Sequence, residues 1–307
     1  MYTFIVNPHA KSGLGGRVWE QTEGILKEKG VSYRSFFTKY QRHATQIVRE
    51  LTADQGEHRI VVLGGDGTVN EVLNGIQDLS RVILGYIPVG SGNDFARYFH
   101  HPSDPVQALE RILNPGKIAE MNVGVLSYRQ GERRKRYGVS AGMGFDAGVC
   151  HQAVISKLKV VLNRLRLGKL TYTGVALSQM AALRPGWIRV SLDGKEPVIH
   201  EKAYFAAAMN HPYEGGGFKF CPGADPCDGI LDVTVIAGLP KWLVLLLLPT
   251  AFWGLHVKFR GIYTYTCREA VFESERPLPL HTDGEPVFLQ RAVQVGLEPE
   301  TIRLIAG

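Results

Sequence analysis

The strongest constraint on the fold is an alternation in roughly the first ninety residues between short apolar runs and amphipathic segments. Residues 2–7, 31–38, 59–63 and 82–89 are nearly continuous apolar or β-branched runs. Between them, Val18, Thr22, Ile25 and Leu26 recur at helical spacing, then Ala44, Ile47, Val48 and Leu51, and residues 68–76 form a third helical segment. Strands apolar on both faces and separated by helices predict a parallel sheet covered on both sides. In such sheets ligands sit at the carboxyl ends of the strands, where the loops gather.

The pattern changes after about Val123. Residues 137–141, 187–192, 203–209, 231–236, 262–267 and 292–297 read as strands with few helices between them, which predicts a largely antiparallel β-sandwich. Two helical insertions interrupt it, near 147–183 and 241–256. The expected organisation is an α/β nucleotide-binding domain over 1–123, a β-rich substrate domain over 124–297, and a tail near 298–307 that returns to the first domain.

Length and composition agree with two globular domains: 307 residues, 45% hydrophobic and 21% charged, which excludes disorder, collagen-like repeats and a coiled coil. The net charge of +6 is local. Between Leu126 and Leu170, ten Lys/Arg face only Glu132 and Asp146, a balance of +8. Cys150, Cys221, Cys227 and Cys267 lack zinc-ligand spacing and are too few to staple a chain of this length. The opening MYTFIVNPHA reads as a strand entering a polar turn rather than a signal peptide. The longest uncharged apolar run, 242–255, has 14 residues and contains Pro249, against the roughly 20 needed to span a bilayer. A soluble, cytoplasmic protein of a reducing compartment is expected.

The chemistry concentrates in two loops. Gly64-Gly65-Asp66-Gly67-Thr68 lies between a strand and a helix. Its glycines permit a tight turn whose backbone N–H groups, with the following helix dipole, suit an anion such as phosphate. Asp66 cannot bind phosphate directly, so it implies an intervening divalent cation or ordered water. A second turn, Gly90-Ser91-Gly92-Asn93-Asp94-Phe95-Ala96-Arg97, follows the next apolar strand, so both loops converge on one site. No Gly-Lys-Ser/Thr follows the first loop, which excludes a Walker A motif.

GGDGTVNEV (64–72), GSGNDFAR (90–97), GMGFDAGV (142–149), ADPCDGILDV (224–233) and the DGE of 283–285 occur in the order found in bacterial diacylglycerol-kinase-like lipid kinases, and the chain resembles that family along its whole length. The family is related to sphingosine kinases and, more remotely, to NAD kinases and phosphofructokinases. The resemblance implies ATP and Mg²⁺ as cofactors. It implies a nucleotide-phosphate loop of Gly64, Gly65, Asp66, Gly67, Thr68 and Asn70, with Asn7, Thr38, Ser91 and Asn93 as further nucleotide contacts. Asp66 and Asp94 belong to the active-site polar set, and Arg97 faces phosphate or substrate. Glu285 matches the general base and Asp283 its neighbour. A structural Mg²⁺ would be held by the Asp228 side chain and the carbonyls of Asp225 and Ile230. Ser91 stands where the family more often has Thr and keeps the hydroxyl. Lys11 and Arg17 are both candidates for a basic position after Asn7-Pro8. Taken alone, the 281–286 segment reads as an ordinary hairpin turn, with His281 a bland loop residue; the family register gives it a catalytic role.

The implied function is transfer of the ATP γ-phosphate to a lipid hydroxyl, with diacylglycerol as acceptor and phosphatidic acid as product. An NAD kinase-like enzyme with a soluble substrate, or a non-catalytic lipid-binding protein, are the competing readings. A lipid kinase meets its substrate at a membrane surface, so peripheral association with the inner face is expected. The basic segment 157–170 reads either as an interfacial helix or as a solvated charged face. The 242–255 run reads first as a buried helix of the second domain and alternatively as a membrane-facing one. The basic cluster lacks interleaved aromatics, which argues against nucleic acid. A homodimer is compatible with the sequence.

Overall fold

A computed structural model describes residues 1–54, 56–128, 131–144 and 184–306. The basic segment 157–170, the first helical insertion and residues 145–149 of the third motif lie outside the described residues.

The N-terminal strands are β1 (Tyr2–Val6), β2 (Tyr33–Phe37), β3 (His58–Gly64), β4 (Val82–Pro88) and β5 (Lys117–Met121). With β17 (Ile302–Ala306) they form one six-stranded sheet in the order β2-β1-β3-β4-β17-β5. All neighbours are parallel except β17 and β5. Strand alternation explains why the apolar runs are continuous. Ile5, Ile60, Val62 and Leu84 pack on one face against helices α2 (His43–Leu51) and α3 (Asp66–Gly75). Phe4, Val6, Val61 and Leu63 pack on the other against α1 (Ala10–Glu28) and α5 (Pro105–Leu113). A short helix, α4 (Asp94–Tyr98), follows β4.

The remaining strands are β6 (Gly124–Tyr128), β7 (Arg133–Tyr137), β8 (Ser140–Gly144), β9 (Gly186–Leu192), β10 (Val198–Met209), β13 (Leu231–Ala237), β14 (Ile262–Cys267), β15 (Glu269–Thr282) and β16 (Glu285–Leu297). They build a nine-stranded antiparallel sheet, β14-β13-β10-β8-β15-β16-β6-β7, with β9 joining β10 to β15. A small hairpin of β11 (Tyr213–Glu214) and β12 (Phe218–Lys219) stands apart. The α/β and β-sandwich expectation therefore holds.

Two local expectations change. Residues 137–141 are not one strand: the chain turns at Gly138-Val139, because the N–H groups of Gly138, Val139 and Ser140 all point at the Asp283 carboxylate. The 242–255 run is neither wholly buried nor wholly exposed. It forms a helix over Lys241–Leu247 and 3₁₀ turns over Leu248–Trp253. Val244, Leu247 and Ala251 face the sandwich while Trp242, Leu246 and Trp253 face outward. Among the described residues, no helix is long and apolar enough to cross a membrane.

Candidate active site

The two glycine loops touch. A Cβ on Gly65 would lie 3.2 Å from the Cα of Gly90, and Val89 N–H donates to the Gly64 carbonyl at 2.6 Å. Gly64 must also lack a side chain, since a Cβ there would fall 2.6 Å from Thr68 Oγ1. Asn7, at the end of β1, donates from Nδ2 to that hydroxyl at 3.1 Å. Asn93 shapes the second loop. It adopts φ +53°, and its Oδ1 accepts the Gly90 N–H at 2.8 Å. These contacts leave a cleft of about 550 Å³, lined among others by Asn7, Lys11, Thr38, Gly65, Gly67 and Glu285. Lys11 reaches it from a left-handed kink, φ +47°, at the start of α1. Non-glycine residues are rarely held in that region without a reason. Ser91 sits exposed at the tip of its loop.

Asp66 and Asp94 form a pair of carboxylates around Gly92. A Cβ at Gly92 would meet Asp66 Oδ2 at 3.4 Å and Asp94 Oδ2 at 3.5 Å. Asp66 accepts the N–H groups of Asp94 and Phe95, each at 3.3 Å, which fixes α4 against the first loop. Some of its surface remains accessible, yet burial of its carboxyl group and the charge of Asp94 push its pKa up to about 7. Burial also raises the pKa of Asp94. Asp94 accepts Arg97 Nε at 3.2 Å and the Gly216 N–H at 2.7 Å. Arg97 bridges the same elements, donating to the carbonyls of Gly92 and Gly216 at 3.2 and 3.3 Å. Two buried acids side by side, one of them raised by the charge of the other, are a donor set that a divalent cation would relieve.

Asp283 and Gly284 form the β15–β16 turn, with φ +51° and +76°, so the Asp-Gly pair is the hairpin turn its sequence suggests. It is also part of the site. Asp283 accepts four hydrogen bonds: Asn70 Nδ2 at 2.8 Å and the N–H groups of Gly138, Val139 and Ser140 at 2.8, 2.7 and 3.1 Å. That saturated carboxylate clamps the second sheet onto α3. Replacing Asp283 with Asn puts an amide donor among donors, so a loss of about 3 kcal/mol or more is expected, read as a lower thermal midpoint alongside reduced turnover. An unchanged melting curve would remove the clamp role. Glu285, two residues on, reaches back across the cleft. A Cβ on Gly67 would lie 2.8 Å from its Oε1, and Gln41 Nε2 donates to its Oε2 at 3.3 Å. His281 is fully buried, with Nδ1 accepting the Gly284 N–H and Nε2 at 3.3 Å from Glu214 Oε1.

Several residues here carry no motif that sequence reasoning could use. Gln41 meets Glu285. Lys135 is half-buried, with its pKa lowered by that burial against the pull of Glu285 and Asp283. Arg136 donates to the Leu73 carbonyl at the end of α3 and to Glu298. Glu71 could have been found, because it lies inside GGDGTVNEV; it accepts the N–H groups of Arg42 and Ala44 at 2.7 and 3.1 Å.

His211 lies beneath α4, fully buried and stacked on Phe95 at 5.4 Å, with neither ring nitrogen hydrogen-bonded. Burial, reinforced by His101, lowers its pKa to about 3. As pH falls below about 6.5 the unfolded chain binds a proton that the folded chain refuses, so stability falls as pH falls. His211 should cost about 2 kcal/mol at about pH 5 relative to neutrality. Chemical denaturation at both pH values would measure it; the same pH slope in a His211→Gln variant would refute the assignment.

The expected structural metal loop is an oxygen-rich turn. Asp225 Oδ1 accepts the Cys227 N–H and Asp228 Oδ1 the Ile230 N–H, both at 2.9 Å. The Asp225 carbonyl faces the Asp228 N–H at 3.4 Å. Burial and the charge of Asp228 push Asp232 up to a pKa of about 6. Carbonyls beside mutually repelling carboxylates are the hard donors that Mg²⁺ takes. Among the described residues, no group of three or more His, Cys, Asp or Glu side chains forms a metal cluster.

Residues 1–126 match the diacylglycerol kinase catalytic domain, and residues 140–306 match the YegS C-terminal NAD kinase β-sandwich-like domain. The Bacillus subtilis protein YtlR, whose name describes a lipid kinase, is 31% identical over 286 residues, covering 92% of each chain. The chain belongs to the diacylglycerol kinase family. It is a kinase. A diacylglycerol kinase of Mycobacterium tuberculosis is 29% identical, covering 94% of this chain and 93% of its own. A crystal structure of a Bacillus anthracis diacylglycerol kinase shares the fold at TM-score 0.73 and 20% identity, covering 100% of this chain and 96% of that one. An Archaeoglobus fulgidus NAD kinase in complex with ATP shares it at TM-score 0.54 and 12% identity, covering 99% and 93%.

Proposed function

We propose that this family member is an ATP- and Mg²⁺-dependent kinase that phosphorylates diacylglycerol to phosphatidic acid at a membrane surface. The observation that carries the reading is the approach of Glu285 to Gly67. It sets a carboxylate from the second domain against the phosphate loop of the first, across a cleft of about 550 Å³. The backbone N–H groups of the two glycine loops would hold the ATP phosphates, with Lys11 adding a cation. Asp66 and Asp94 would hold Mg²⁺, and their raised pKa values fit that donor set. The metal would neutralise phosphate charge.

The acceptor hydroxyl oxygen attacks the γ-phosphorus, the bond from γ-phosphorus to the bridging oxygen breaks, and ADP leaves. The hydroxyl proton goes to Glu285, which Gln41 steadies through its 3.3 Å hydrogen bond. Diacylglycerol is favoured among acceptors by the names of the Mycobacterium tuberculosis relative and of a second Bacillus subtilis relative, a diacylglycerol kinase 31% identical over 232 residues. Labelled ATP offered with diacylglycerol, monoacylglycerol, sphingosine, ceramide and NAD tests the reading directly. Phosphatidic acid is the expected product; phosphorylated NAD, or no labelled product, would overturn it.

A further inference from the structure

The chain contains no Asp or Glu between Val233 and Arg268, while Lys241, Lys258, Arg260 and Arg268 fall within that stretch. Its helix and 3₁₀ turns bury Val244, Leu247 and Ala251 against the sandwich and turn their other side outward. Trp242 and Leu246, one turn apart on the helix, are 66% and 64% exposed, and Trp253 is 71% exposed. Phe252 and Phe259, in the same stretch, are exposed as well. Large exposed aromatics concentrated in one short stretch, with the Phe252 and Trp253 rings 6.5 Å apart, mark an interaction surface rather than ordinary solvent-facing residues.

The surface connects to the carboxylate pair. Phe252 stacks on Phe218 at 4.0 Å between ring centroids and 27° between planes. Phe218 begins β12, two residues after Gly216, whose N–H is held by Asp94 and whose carbonyl accepts from Arg97. Whatever seats on the aromatic face is therefore mechanically joined, through one short glycine-rich hairpin, to the side of the site where Asp94 and Arg97 lie.

We propose that this face docks on an anionic lipid bilayer, with Trp242, Leu246 and Trp253 entering the interface and Lys258 and Arg260 meeting the headgroups. Tryptophan favours the headgroup level, where its ring is buried and its N–H stays hydrogen-bonded. Cations add attraction to an anionic leaflet. A second copy of the chain is a poorer occupant, because the stretch that carries the exposed aromatics holds Lys241, Lys258 and Arg260 without an acid and would meet its own like charges. The proposal shares the lipid-substrate reading of the kinase, but bilayer binding does not require turnover.

Co-sedimentation of the full chain with phosphatidylglycerol-containing vesicles, against phosphatidylcholine vesicles alone, reads the docking. Brominated acyl chains in the same vesicles read the depth of the tryptophans. The wild type should bind the anionic vesicles and show quenching. The Trp242→Ala/Trp253→Ala and Lys258→Glu/Arg260→Glu variants should each bind at least about tenfold more weakly, the former with quenching lost, at unchanged melting temperature. Wild-type binding that fails on anionic vesicles, or persists in both variants, would overturn the proposal. So would a dimer, seen in analytical ultracentrifugation, that the tryptophan substitutions dissociate while vesicle binding is unaltered. Turnover of a short-chain diacylglycerol in detergent micelles tests the kinase reading separately: a wild type that docks but phosphorylates no lipid defeats that reading alone.

Discussion

Glutamine at position 285 should lower kcat by about 10²–10⁴-fold while leaving the ATP dissociation constant near its wild-type value. Gln keeps the size of Glu285 and can still contact Gln41, but it cannot accept the hydroxyl proton. The loss belongs to the transition state, because the carboxylate approaches the phosphate loop at Gly67 without itself being a phosphate donor. Single-turnover rates and nucleotide binding measured on the same preparation decide it. Full turnover in Glu285→Gln would move the proton acceptor elsewhere. Asp94, the other carboxylate of the pair, is then the next candidate.

Removal of the Asp66 carboxylate should be still more damaging, with turnover falling by about 10³-fold or more. Alanine there loses the cation-organising charge and also leaves the Asp94 and Phe95 N–H groups without their acceptor. Asparagine separates the two effects, because its carbonyl oxygen can still accept from α4. Asp66→Asn should melt like the wild type yet lack turnover, and its Mg²⁺ activation curve should be shifted to higher concentration or absent. Turnover within about threefold of wild type in Asp66→Asn would sink the assignment of Asp66 to the reactive centre.

The reach of the sequence follows from how locally each feature is encoded. The parallel sheet was legible because β3 and β4 are buried on both faces, and burial on both faces writes an unbroken apolar run. Both glycine loops were legible for a similar reason. Gly64 and Gly90 each meet a neighbour closer than a Cβ tolerates, at 2.6 and 2.3 Å, and Gly65 packs tightly on the Cα of Gly90 at 3.2 Å. The turn at Asp283-Gly284 was equally readable, since paired positive φ angles select that dipeptide.

Partnerships across long sequence separations had no such local signature. The strand expected over 137–141 breaks because a carboxylate more than 140 residues away gathers three consecutive N–H groups. Gln41 and Lys135 became site residues only when β16 and β7 were brought over α2 and α3. Periodicity gave the apolar character of 242–255, but the choice of which side is buried came from the shape of the sandwich beneath Val244 and Leu247. The sequence alone determined the backbone conformations of the parallel strands and the glycine turns, because steric limits on φ and ψ and the burial period act within a few residues. Tertiary structure alone decided which charges face one another: the pKa values of Asp66 and Asp94, and the approach of Glu285 to Gly67, depend on low-dielectric packing of chain segments that sequence order keeps apart.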